Sequence, residues 1–168
     1  MSVSEHPYRV VDASLQESFR DAMGNVAAAV SVVTTLVDDV PHGTTVSAFA
    51  SLSMDPPMLL VSLMQGSRLL AVLRPGAAVG VNVLGAHQGD VAQRFAERRD
   101  DKFDGMAWEL ADGAPALHHQ HAWVAMRVAR LVPAGDHTLV LGDVVSAVSD
   151  AGTPLTYHRR SFGTHLAH

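Results

Sequence analysis

Hydroxyl side chains recur at Thr45, Ser47, Ser51 and Ser53 within residues 43–57, GTTVSAFASLSMDPP. Successive side chains of an extended strand alternate between faces, so these odd positions share one face with Phe49. Val46, Ala48, Ala50 and Leu52 fall on the other face and suit a packed core. A row of small hydroxyls makes a poor core but a good bed for a flat, polar, phosphorylated ligand. Asp55-Pro56-Pro57 ends the strand, because two prolines remove two backbone donors.

Three other places could do chemistry. In Gly135-Asp136-His137, glycine and aspartate are ordinary turn residues, but a turn does not account for the imidazole after them. An imidazole beside a carboxylate can orient a ligand or carry a proton. Asn82 interrupts an apolar strand, and a buried amide must be satisfied, either by neighbouring backbone or by the polar edge of a ring system. Arg159-Arg160 is either a solvated pair or a phosphate-neutralising one. Phe103 and Trp108 read as packing residues rather than ring-stackers.

Other chemistries are disfavoured. His118, His119 and His121 cluster, but without HExxH or a carboxylate set at ligand spacing, so they read as a polar loop. His165 and His168 read as tail. There is no GxSxG elbow, and neither GxGxxG nor GxxxxGK[ST] is present, so a nucleotide must be held some other way. The chain has no cysteine, which excludes disulfides and thiolate chemistry.

The 168 residues suit one domain, with an arm at 1–13, a body at 14–163 and a tail at 164–168. Charged residues are only 17% against 48% apolar, a thin charged coat that points to a buried subunit interface. The net charge of −5 and the lack of a basic run beyond Arg98-Arg99 and Arg159-Arg160 argue against nucleic acid. No apolar run reaches 18 residues and the first residues lack an apolar signal core, so no membrane span and a cytoplasmic location are expected.

The elements that must position these groups are legible by pattern. Residues 14–24 read as a helix capped by Ser14 with Glu17 in a capping box and ended by Gly24, with Leu15, Phe19, Ala22 and Met23 on one side. Residues 28–37 read as a buried strand, 38–43 as a turn, and the serine-rich strand follows. Residues 58–64 and 77–84 are strands, and 67–74 is a short helix capped by Ser67. Residues 88–98 form a helix with Val91, Ala92 and Phe95 inward. Residues 99–122 read as a long loop. Strands return at 123–132, 138–148 and 154–158. Such a series predicts an antiparallel barrel rather than a doubly wound sheet, with edges that oligomerisation can cover.

Four blocks carry a resemblance: PHGTTVSAFASLSMDPPMLLVSL, AVGVNVLGAHQGDVAQRFAERRDDKF, PAGDHTLVLGDV and YHRRSF. In this order they resemble the short-chain flavin reductases, the reductase components of two-component flavin-dependent monooxygenases, from about Phe19 to Phe162. The resemblance implies a mainly β Greek-key split barrel of the FMN-binding type with short helices, assembled as a homodimer. It implies FMN or FAD as cofactor, NADH or NADPH as hydride donor, and a monooxygenase that receives reduced flavin, with diffusion sufficing for the transfer. The flavin-binding strand of that family matches Thr45, Val46, Ser47, Ala48 and Phe49, with Ser51, Leu52 and Ser53 following. Asn82, Val83 and Leu84, together with Phe103, match flavin-side positions. Ser67 and Arg68 match a phosphate-side contact in a shortened loop, and Arg159 and Arg160 match a basic segment at the cofactor entrance. His137 matches the nicotinamide-side residue. A flavin carrier or redox sensor without reductase activity is the competing reading. A pyridoxine-phosphate-type oxidase is disfavoured by the missing early basic cluster.

Overall fold

The computed structural model describes residues 12–166. Most of the N-terminal arm (1–11), and residues 167 and 168 of the tail, lie outside the described residues. Helix α1 (Ala13–Gly24) precedes strands β1 (Ala28–Ala29), β2 (Ser31–Val37), β3 (Val40–Val46), β4 (Phe49–Met54) and β5 (Pro57–Met64). Helix α2 (Arg68–Val72), β6 (Ala78–Val83) and α3 (Gly89–Ala96) follow. Then come β7 (Trp108–Ala111), β8 (Ala114–Leu117), β9 (Ala122–Ala134), β10 (His137–Ser149), β11 (Leu155–His158) and β12 (Ser161–Thr164).

Seven antiparallel strands form the main sheet in the order β3-β2-β6-β9-β10-β5-β4. The two edge strands, β3 and β4, are consecutive in the chain and separated only by Ser47 and Ala48. Lying flat, seven strands would hold those edges roughly 29 Å apart, whereas the three Cα steps from Val46 to Phe49 span at most about 11 Å. The sheet must therefore roll into a barrel. Its edges are not paired to each other; the Ser62 N–H donates to the Ala48 carbonyl at 2.8 Å, carrying the β4–β5 pairing up to the crossing. Val33, Val61, Leu63, Val79, Val81 and Val140 fill the interior.

A second core of Val30, Val32, Leu84, Ala92, Phe95, Leu117 and Leu155 packs α3 and β11 on the barrel's outer wall. β2 is therefore buried on both faces from Ser31 to Thr35. Its hydroxyls are satisfied internally: Ser31 donates to Val46 at 3.0 Å, Thr35 to Ala78 at 2.6 Å and Thr34 to Pro115 at 2.6 Å. Gly80 is required opposite Trp123, since a Cβ there would lie 2.2 Å from the indole.

Several expectations are corrected. The serine-rich strand breaks at Ser47-Ala48 because the chain changes sheet edge there, so its alternation does not run through. Ala48, Ala50 and Leu52 are exposed, and it is Phe49 that packs on the core. Asp12 rather than Ser14 caps α1, its carboxylate accepting from Ser14 N–H at 2.9 Å. α1 buries no residue; Leu15, Phe19 and Met23 face outward. The β2–β3 turn is only Asp38-Asp39. The 99–122 loop contains the β7–β8 hairpin, and residues 159–160 turn β11 into an unforeseen β12.

Candidate functional site

A cleft of about 470 Å³ opens beside the seam. β3 and the crossing contribute residues 43–48, and β5 contributes Ser62, Leu63 and Met64. The β5–α2 connection adds Gly66 to Leu69, and His137 enters from the start of β10. The segment after α3 closes the other side with Ala96, Glu97, Arg98, Arg99 and Lys102.

The basic side has a defined local cause. At the end of α3, Arg94 turns back onto the following loop and donates to the carbonyls of Asp101 (2.7 Å), Lys102 (2.7 Å) and Asp104 (2.6 Å). A guanidinium can satisfy three carbonyls at once, so one side chain folds the loop. Arg99 makes two 2.6 Å bonds to the Asp101 carboxylate and reaches Glu97 at 3.3 Å. Those bonds hold the Asp101 carboxyl down to about 2. Arg68, at the start of α2, pairs with Asp100 across the cleft mouth.

Lys102 is the only lysine of the chain. It is half-buried, and its ammonium donates to Phe95 O at 2.8 Å and Gly43 O at 3.2 Å. Burial lowers its pKa, the Arg68 charge lowers it further, and Glu97 partly opposes them. Two of its three protons are directed at carbonyls; the third remains for an anion. Gly43 allows this approach, since a Cβ there would lie 2.8 Å from the Phe95 ring.

Of the residues expected from sequence, the cleft gathers Thr45, Val46, Ser47, Ala48, Ser67, Arg68 and His137. The Thr45 hydroxyl donates to Ala92 O at 2.6 Å, tying β3 to α3, and Val46 belongs to the core. Ser67 caps α2, accepting from Leu70 N–H at 3.5 Å. His137 Nδ1 lies 2.7 Å from the Asp136 carboxylate. That hydrogen bond holds the Asp136 carboxyl below its ordinary range.

The remaining expected residues lie elsewhere in the single chain. Phe49, Ser51, Leu52 and Ser53 are on β4, outside the cleft, and the Ser53 hydroxyl accepts from Asp55 N–H at 3.3 Å. Asn82 is fully buried and internally satisfied: it donates to Val32 O at 3.0 Å and accepts from Leu117 N–H at 2.7 Å, locking β8 onto the barrel. Its amide faces backbone, not a ring. Val83 and Leu84 pack in the cores. Phe103 stacks edge-on between Phe95 (4.9 Å) and Trp108 (5.9 Å), behind the cleft wall. Arg159 and Arg160 form the β11–β12 turn with φ of 47° and 62°, and Arg159 donates to Asn25 at 2.7 Å.

Sequence reasoning missed Lys102, Arg94, Arg98 and Arg99 as parts of a site. The signal available was a lone lysine among twelve basic residues, placed just after an arginine pair.

Chemically, the cleft offers cations for phosphate, a strip of hydroxyl and backbone groups, and an imidazole at another edge. That donor set fits a phosphorylated polar ring system.

A family model described as a flavin reductase like domain matches residues 23–165. The NADH:FMN oxidoreductase of Rhodococcus qingshengii is 36% identical over 151 residues, covering 86% of this chain and 79% of that protein. The reductase component of a 4-nitrophenol 4-monooxygenase/4-nitrocatechol 2-monooxygenase from Rhodococcus opacus is 37% identical over 145 residues, covering 86% and 78%. The Streptomyces globisporus C-1027 NADH:FAD oxidoreductase, solved in complex with NAD and FAD fragments, superposes with a TM-score of 0.84 at 29% identity, covering 95% of this chain and 97% of that one.

Proposed function

The chain belongs to the flavin reductase like domain family, and from that premise and the chemistry of its cleft we propose that it is an NAD(P)H-dependent flavin reductase. The observation that carries this reading is the meeting, in one cleft, of a half-buried lysine, a hydroxyl-bearing crossing and a carboxylate-paired imidazole. A flavin held there would supply the hydride-accepting chemistry, with a reduced nicotinamide as donor. The protein's part is to bind, align and exclude water, with no covalent nucleophile required.

We assign the phosphate end of FMN or FAD to Lys102, Ser67 and Arg68, and its ring to the strip 45–48. His137 stands on the nicotinamide side. Phe49, Ser51, Leu52 and Ser53 join the site only if a second copy brings β4 to a cleft. Asn82, Val83, Leu84 and Phe103 act behind the wall, and Arg159 and Arg160 serve the entrance only in an assembly.

Reduced flavin passes to a monooxygenase in this reading, by diffusion. The family relation to monooxygenase reductase components supports such a partner. A homodimer is supported by the outward apolar side of α1 and by the exposed Leu52 and Met54 on edge strand β4. No helix among the described residues is long and apolar enough to cross a membrane.

The test is to record the visible spectrum of the purified chain, then follow NADH and NADPH oxidation with FMN or FAD added. Oxidation that requires added flavin supports the reductase. A yellow protein inert to both nicotinamides would instead be a carrier.

A further inference from the structure

His137 opens β10, its backbone paired with Ala134 of β9 and Met64 of β5, but the turn that carries Asp136 into it has little packing to hold it. Residues 132–136 are all exposed, Gly135 has a φ of +64°, and its Cβ direction meets open space. Hydrogen bonds must therefore fix the turn, and two of them come from Gln65, which follows β5 and is not part of the cleft lining. Its backbone N–H donates to Asp136 O at 3.0 Å, and its side-chain amide donates to Gly135 O at 3.0 Å. Asp136 in turn faces His137 Nδ1 at 2.7 Å. An ionised carboxylate has no proton to give, so Nδ1 carries the proton and Nε2 is the ring nitrogen left for a ligand.

We propose that Gln65 is a positioning residue for His137, its side-chain amide holding the exposed Gly135–Asp136 turn so that the imidazole keeps one tautomer and one place at the cleft edge. The inference rests on the flavin reductase reading for its functional consequence, but not for its structural one. Gln65 lies immediately before Gly66 and Ser67, so the same short segment sets the turn on one side and the phosphate-side loop on the other. The backbone bond survives any substitution at position 65 other than proline; only the side-chain bond is removed.

The experiment uses the full chain with Gln65→Leu and Gln65→Glu, neither of which can donate to Gly135 O. Without ligand, ¹⁵N-histidine NMR should show His137 protonated at Nδ1 in the parent and averaged between tautomers in both variants. With FMN and NADH, KM for NADH should rise about three- to tenfold, the scale of one lost hydrogen bond. FMN affinity, read by fluorescence quenching, should stay unchanged. Adding His137→Ala to Gln65→Leu should cost no more than His137→Ala alone. An unchanged His137 tautomer, an unchanged KM, or full additivity with His137→Ala overturns the proposal. If the parent chain does not oxidise NADH with any flavin, the reductase reading fails separately, and the NMR result alone decides the role of Gln65.

Discussion

At the scale of single residues, the cleft depends on one half-buried cation and one held imidazole. Lys102→Met should weaken FMN binding by about 1.5–3 kcal/mol, the range for a hydrogen bond to a charged group. Riboflavin, which lacks the phosphate, should bind the variant as it binds the parent; equal losses for both would remove Lys102 from the phosphate. The ammonium is the form that pairs with phosphate, and burial lowers its pKa from 10.5. FMN affinity should therefore fall as pH rises, beginning below that value, and titration of binding against pH checks the sign. His137→Ala should raise KM for NADH or slow flavin reduction while leaving the flavin dissociation constant unaltered, as stopped-flow at varied NADH would show. His137 was legible in the sequence because a tight turn explains glycine and aspartate but not an imidazole. Lys102 was not, because its burial comes from Phe95 and Gly43, partners 7 and 59 residues away.

Among the elements, the connection from α3 to β7 decides the shape of the basic side. Arg94→Lys keeps the charge but replaces the fork, whose Nε and Nη2 reach carbonyls in two directions, with a single ammonium nitrogen, so proteolysis or hydrogen exchange within 97–104 should accelerate and FMN binding should weaken. Asp101 is depressed from 3.8 to about 2 by the Arg99 hydrogen bonds. A depressed carboxyl contributes fully above its unfolded value, so this tie is complete above about pH 4 and is lost as pH falls through about 2. A carboxyl NMR titration of Asp101 with a midpoint near 3.8 would contradict it. Gly43→Ala would push a methyl into Phe95, shifting β3 against α3, and should lower both stability and flavin affinity. α3 was legible because its apolar spacing matches its final burial, and β5 because a short apolar run directly after Pro56-Pro57 reads as a strand. The β7–β8 hairpin was hidden because β8, APAL, is buried throughout and shows no alternation. The serine-rich strand misled for the opposite reason: its alternation is regular in sequence, but the chain leaves one sheet edge for the other in the middle of it.

For the whole molecule, barrel class and antiparallel order were readable from the succession of strands, but the rolled topology required knowing which edges meet. Assembly is the matching prediction. Sedimentation should give a dimer, and Phe19→Glu, on the outward side of α1, should shift it toward monomer; a parent that sediments as a monomer at all concentrations rejects the homodimer. The two-residue crossing at Ser47-Ala48 also bears on synthesis. By Met64 the ribosome has released the strand part of the ligand bed, as the β2–β3 and β4–β5 hairpins. The strands that curl those hairpins toward each other, β6, β9 and β10, arrive only between residues 78 and 149. A nascent chain stalled before β6 should leave flavin fluorescence unquenched, and one released past β10 should quench it: the strand floor of the cradle is translated early but takes shape late.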